Sequence, residues 1–195
     1  NGSTLGALRF KGDTASEFRH DVMLPFFEQY LREGAPRADT PPVWSYQTGS
    51  NRWQRLAKWP QAETLQPMYL KAGFKLGFDK QTGGAQSDDY VSDPATPVPF
   101  VPRPVRMSDD QVWKPWLVSD QRSYSDRPDV LSYVTEPLTA PLQLSGAAMV
   151  NLYASTTGSD ADWVVKLIDV YPDEVVSQPE LGGYQLMISG DILRG

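Results

Sequence analysis

The chain has 195 residues, a net charge of −6 and a pI near 4.8. It is long enough for one good core with part of another, and its diffuse acidity argues against nucleic acid or an anionic membrane surface as a partner. It has no cysteine, which excludes disulfides, thiolate zinc sites and a cysteine nucleophile, and no apolar run long enough to cross a bilayer.

Residues 1–11 are rich in glycine and read as an entry loop. Thr14-Ala15-Ser16-Glu17 fits a capping box, in which a hydroxyl and a carboxylate satisfy the free amides of a helix start. Phe18, Val22, Phe26, Phe27, Tyr30 and Leu31 follow at helical spacing and form a broad aromatic stripe. Pro25 interrupts that pattern and predicts a kink or a split, and Gly34 and Pro36 end the helix. A stripe this apolar calls for a large partner surface.

Beyond Ala35 the helical period disappears, and short strands punctuated by Gly, Pro, Asn and Asp take over. The expected strands are 43–47, 68–71, 90–91, 131–134, 142–144, 147–154, 163–170 and 183–189. Ala148, Val150, Leu152 and Ala154 alternate, so that strand has one buried face. Residues 163–170 are mostly apolar, which suits a central strand covered on both sides. Thr157–Asp160 has hairpin-turn chemistry between the two. Prolines crowd residues 93–106 (DPATPVPFVPRPVR), which excludes a regular ladder and predicts a stiff extended strap over the surface; a docking strip for another subunit or domain is the sharper alternative. The expected fold is mainly β, a jelly-roll β-sandwich.

Little in the chain can carry chemistry. A serine nucleophile on a G-x-S-x-G elbow is absent, because Gly2-Ser3 and Gly49-Ser50 lack the second glycine. The single histidine, His20, lies mid-helix between Arg19 and Asp21 and reads as a solvated surface residue rather than a general base. One histidine rules out a His-rich metal site. The aspartate groups 88/89/93 and 160/162 read as turn and cap residues, without the spacing of a calcium loop. The six tryptophans read as packing residues; an exposed planar row, with Trp53 or Trp116 in it, would instead suggest a carbohydrate-binding module. No cofactor and no metal are expected.

Four stretches carry a collinear family likeness: NGSTLGALRFKGDTASEFRHDVMLPFFEQYLREG, PPVWSYQTGSNRWQRLAKWP, YVTEPLTAPLQLSGAAMVNLYASTTGSDADWVVKLIDVYPD and YQLMISGDILRG. Together they resemble the C-terminal portion of α-amino-acid ester hydrolases, in the group that includes cocaine esterases, glutaryl acylases and X-Pro dipeptidyl-peptidases. The resemblance implies a serine hydrolase of three parts: an α/β-hydrolase domain, a helical cap and a jelly roll. It implies that residues 1–35 are the closing loop and helix of the hydrolase domain and that residues 36–195 are the jelly roll, incomplete at its C-terminus. The implied chemistry is cleavage of small-molecule α-amino-acid esters, with the acyl group passed to water or to a β-lactam amine. No catalytic residue is expected in this chain, since the Ser, Asp and His would lie before Asn1. Asn1, Gly2 and Ser3 would border the site. The implied partners are the upstream hydrolase and cap domains and further copies of the protein, and the implied location is periplasmic or secreted. An accessory domain of an X-Pro peptidase is the nearest alternative.

Overall fold

The computed structural model describes residues 2–60, 64–84, 87–101, 103, 104, 106 and 110–195. The chain divides into two compact units, residues 1–63 and 64–195. The division expected at 35/36 falls inside the first of them. The architecture is mainly β, built from antiparallel two-stranded ladders.

In the first unit, β1 (Thr4–Leu5) and β2 (Leu8–Arg9) pair where an entry loop was expected. The following helical run has three parts: α1 (Thr14–Phe18), a wide turn (Arg19–Met23) and α2 (Leu24–Leu31). The expected capping box is replaced. Asp13 is the N-cap, its carboxylate accepting from the Ser16 amide at 3.0 Å, while the Thr14 hydroxyl donates to the Gly2 carbonyl at 2.7 Å. A carboxylate is the stronger acceptor for helix-start amides, which leaves the threonine free for the Gly2 carbonyl. As expected, the run is split just before Pro25, which takes a place in the first turn of α2. Ahead of it the Leu24 amide bonds the Arg19 carbonyl five residues back, and this widened turn carries the helix into a residue that has no amide to donate.

β3 (Val43–Gln47) and β4 (Arg52–Leu56) form a hairpin with Tyr46 opposite Trp53; β4 was not expected from the sequence. Trp53 is the hub of this unit. Its ring lies 5.0 Å from Tyr46, 6.2 Å from Trp44 and 6.3 Å from Phe18, and its indole N–H donates to Glu17 at 2.7 Å. Phe10 meets Tyr46 edge-on, and Val22 and Leu56 are buried. The apolar stripe therefore engages only through Phe18 and Val22. Phe26, Phe27, Tyr30 and Leu31 are exposed, Leu31 to 79%.

In the second unit, β5 (Tyr69–Lys71) and β6 (Lys75–Gly77) form a short hairpin, and Val134 adds to its edge: the Leu76 amide donates to Val134 at 2.9 Å and the Val134 amide to Phe74 at 3.0 Å. α3 (Asp110–Leu117) and α4 (Arg122–Ser125) precede the main ladder, β7 (Asp162–Val170) with β8 (Gln185–Arg194). The register runs from Asp162 opposite Arg194 to Val170 opposite Gln185, with a bulge at Leu167/Ile168 that leaves Ile188 without an opposite residue.

Three expectations are corrected here. Residues 147–154 join no ladder among the described residues, and the neighbour of β7 is β8 rather than the segment before the turn. Consequently β7 is not a central strand covered on both sides: Val164 and Val170 are exposed. Residues 90–91, 131–133 and 142–144 form no strand either.

The second unit's core lies where the chain before α4 meets the start of β8. Val118, Leu181, Tyr184, Leu186 and Gln121 are buried there. The Tyr184 hydroxyl donates to the Val118 carbonyl and the Gln121 amide to the Gln185 carbonyl, while Asp120 accepts from the amides of Arg122 and Gln185. Lys166 reaches in from β7 to donate to Gln121 Oε1 at 2.8 Å.

Candidate functional site

The segment that borders the chain's first residues was the expected edge of a reaction centre. Asn1 lies outside the described residues. Gly2 is tied to the helix start, its amide donating to Asp13 Oδ1 at 2.7 Å and its carbonyl accepting from Thr14. The Ser3 carbonyl accepts from Phe10 at 2.8 Å across the β1–β2 pair. These contacts fix the backbone of residues 2–3 against α1 and β2.

Beside them a shallow depression is lined by Asp13, Ser16, Glu17, His20 and Asp21. The mixture of imidazole and carboxylates resembles an acid–base set, but its members have other duties. Asp13 is a cap, and the backbone amides of Ser16 and Gly2 hold its carboxyl below the usual carboxylate range. Glu17 accepts from Trp53. His20 projects from the wide turn and is exposed.

The aspartate clusters are also structural. Asp88 accepts from the Tyr133 hydroxyl at 2.7 Å; burial first, then that bond, pushes the phenol up to about 12. Asp93 caps a turn through Ala95 and Thr96, and the Thr96 carbonyl accepts from Arg127. Arg127 in turn holds Asp129 in a two-point ion pair at 2.8 and 2.6 Å. This turn pins the start of the proline-rich strap, whose described residues form no strand. Asp162 pairs with Arg194 at 2.7 and 2.9 Å, closing the β7–β8 ladder. Among the described residues no group of histidine and carboxylate side chains is arranged to hold a metal ion.

Trp44, Trp53, Trp113 and Trp116 pack on other rings rather than forming a planar exposed row, and Trp59 is exposed. Trp53 sits at its hub, and Trp116 lies between Phe100 at 4.5 Å and Trp113 at 4.9 Å. Arg55 stacks over Trp44. The geometry thus offers a scaffold with large uncovered apolar faces and no assembled reaction centre among the described residues.

Comparison with known proteins accounts for such a scaffold. The family model described as the X-Pro dipeptidyl-peptidase C-terminal non-catalytic domain matches residues 36–194. The cocaine esterase of Rhodococcus sp. (strain MB1 Bresler) is 33% identical over 160 residues, which is 76% of this chain and 27% of that protein. Among solved structures, an α-amino acid ester hydrolase is 59% identical with a TM-score of 0.92, covering all of this chain and 33% of its own. An aminopeptidase from a marine sediment Thaumarchaeota archaeon is 48% identical with a TM-score of 0.91, over all of this chain and 32% of its own. The chain therefore spans about a quarter to a third of the length of these relatives. It belongs to the X-Pro dipeptidyl-peptidase C-terminal non-catalytic domain family, and its mainly β sandwich fold is the family's.

Proposed function

We propose that this chain is the non-catalytic C-terminal part of a longer serine hydrolase that cleaves α-amino-acid esters through an acyl-enzyme and passes the acyl group to water or to a β-lactam amine. The observation that carries this reading is 59% identity, along the whole chain, to a solved α-amino acid ester hydrolase three times as long. In it, residues 1–35 close the hydrolase domain and residues 36–195 form the jelly roll; the family match beginning at residue 36 supports that division. The serine, acid and histidine lie elsewhere in the protein, and Asn1–Ser3 border the site. The exposed faces of Phe27, Tyr30 and Leu31 fit burial against the hydrolase domain, each large side chain so covered contributing about 1.5–3 kcal/mol. Self-association and export to the periplasm complete the proposal; sedimentation of the full-length protein and cell fractionation test them.

The central test is kinetic. Full-length protein should hydrolyse a phenylglycine ester, and the 195-residue chain alone should not. Turnover of the ester by the purified chain would overturn the reading. The aminopeptidase similarity, at 48% identity, favours one second reading, a peptidase that releases N-terminal residues. Hydrolysis of peptide amides in preference to esters by the full-length protein would select it.

A further inference from the structure

The second unit contains a groove of about 440 Å³ between the β5–β6 hairpin and residues 135–139, a volume within the range of small-molecule sites. Two lysines govern it. Lys71 and Lys75 stand directly opposite each other in the hairpin register, so both side chains leave the same face. Like charges in that position repel. Each ammonium is countered by a borrowed carboxylate: Lys71 by Asp79 at 2.5 Å, Lys75 by Glu136 at 2.8 Å. These carboxylates are 84% and 80% exposed, whereas the Lys71 side chain is only 22% exposed. Ion pairs to partners so fully solvated are weak and exchangeable. The remaining lining is mostly apolar, with Thr135 and Thr139 beside Leu76, Pro137 and the exposed Phe78 and Leu138.

We propose that this groove binds a small amphipathic carboxylate, its anionic head bridging Lys71 and Lys75 in place of Asp79 and Glu136, and its apolar body lying along Phe78 and Leu138. The apolar wall selects such a ligand over inorganic phosphate, which has no surface to place there. At neutral pH the ligand must displace two ionised carboxylates, because the lysines hold both Asp79 and Glu136 below the ordinary carboxylate range. Neutralising those two residues therefore strengthens binding, whereas a purely structural pair of ion bridges would give no such gain.

The test uses full-length protein whose reactive serine has been capped with phenylmethanesulfonyl fluoride, so that only sites outside the reaction centre are read. Binding of 4-fluorophenylacetate is followed by fluorine NMR, with 4-fluorobenzyl alcohol and inorganic phosphate as comparison probes. The expected result is saturable binding of the acid, weakened about tenfold in Lys71→Gln/Lys75→Gln and tightened severalfold in Asp79→Asn/Glu136→Gln. The alcohol should not saturate, and phosphate should not compete. Lys71→Arg/Lys75→Arg, which keeps the charge, should retain binding and so separates lost recognition from lost folding. Equal binding by the Gln variant, absence of saturable binding in the wild type, no gain in the Asn/Gln variant, or equal binding of the alcohol would overturn the proposal. Competition by phosphate would overturn the assignment to an amphipathic ligand.

Discussion

Residues 147–154 and residues 163–170 both carry a strand pattern, yet among the described residues only the second forms a strand. β7 has a long neighbour in β8, a closing ion pair at Asp162 and Arg194, and an anchor at its far end where Tyr171 and Tyr184 meet edge-on. The segment 147–154 has cleaner alternation but no neighbour among the described residues; Val150 and Leu152 are 55% and 45% exposed. The difference shows that a strand pattern states which side chains can be buried, while the ladder itself depends on which other backbone arrives beside it.

The contrast can be broken most forcefully at the anchor of the formed ladder. Tyr184→Ala removes a buried ring and its hydroxyl bond to Val118, and should lower the protection of β8 amides in hydrogen exchange by about 3 kcal/mol. An unchanged β8 would mean that the ladder stands without its anchor. A smaller effect is expected at Gly182, where a Cβ would meet the Asp173 carbonyl oxygen at 2.5 Å. Gly182→Ala should cost about 2 kcal/mol by forcing that backbone apart, seen as a lowered melting temperature.

On the unformed side, Leu152→Asp should change the stability of the 195-residue chain by less than about 0.5 kcal/mol, as for ordinary exposed positions. In the full-length protein a loss of about 2 kcal/mol for the same substitution would reveal a covering neighbour. The smallest effect concerns the ladder's end. The hydrogen bond and charge of Arg194 lower the Asp162 pKa, so the folded state holds its proton less readily than the unfolded chain. The pair's contribution is complete above the unfolded carboxylate range near pH ~3.9 and is lost as pH falls through the depressed folded value. Exchange of the Trp163 and Leu193 amides, corrected for intrinsic rates, should speed up over that acid range, and Asp162→Asn should abolish the change.

What the sequence made legible follows from how local each signal is. The helix, its end, strand 43–47 and the start of β8 rest on periodicity and stop residues, which act within a few positions. β4 was missed because Arg52-Trp53-Gln54-Arg55 lacks clean alternation; the pairing with β3 and the edge-on and tilted cross-strand ring contacts of Trp53 with Tyr46 and Trp44 favour the strand. The capping box was misassigned because Asp13, Thr14 and Glu17 all fit helix-start chemistry, and only the Gly2 backbone and the Trp53 indole decide which bond each makes. The Lys71–Lys75 juxtaposition had no sequence signal, since it arises from hairpin register. The absence of a serine elbow was legible, because that motif is contiguous in sequence.

The widened turn at Arg19–Met23 has a geometric consequence for the residues on either side. A widened turn takes up one more residue than an α-helical turn, so the residues beyond it fall about 100° behind regular α-helical spacing. Phe18 meets Trp53 of the hairpin and Val22 is buried, whereas Phe27, Tyr30 and Leu31 are exposed. The broken helical run thus has one end set against its own hairpin and another whose aromatic side chains are exposed.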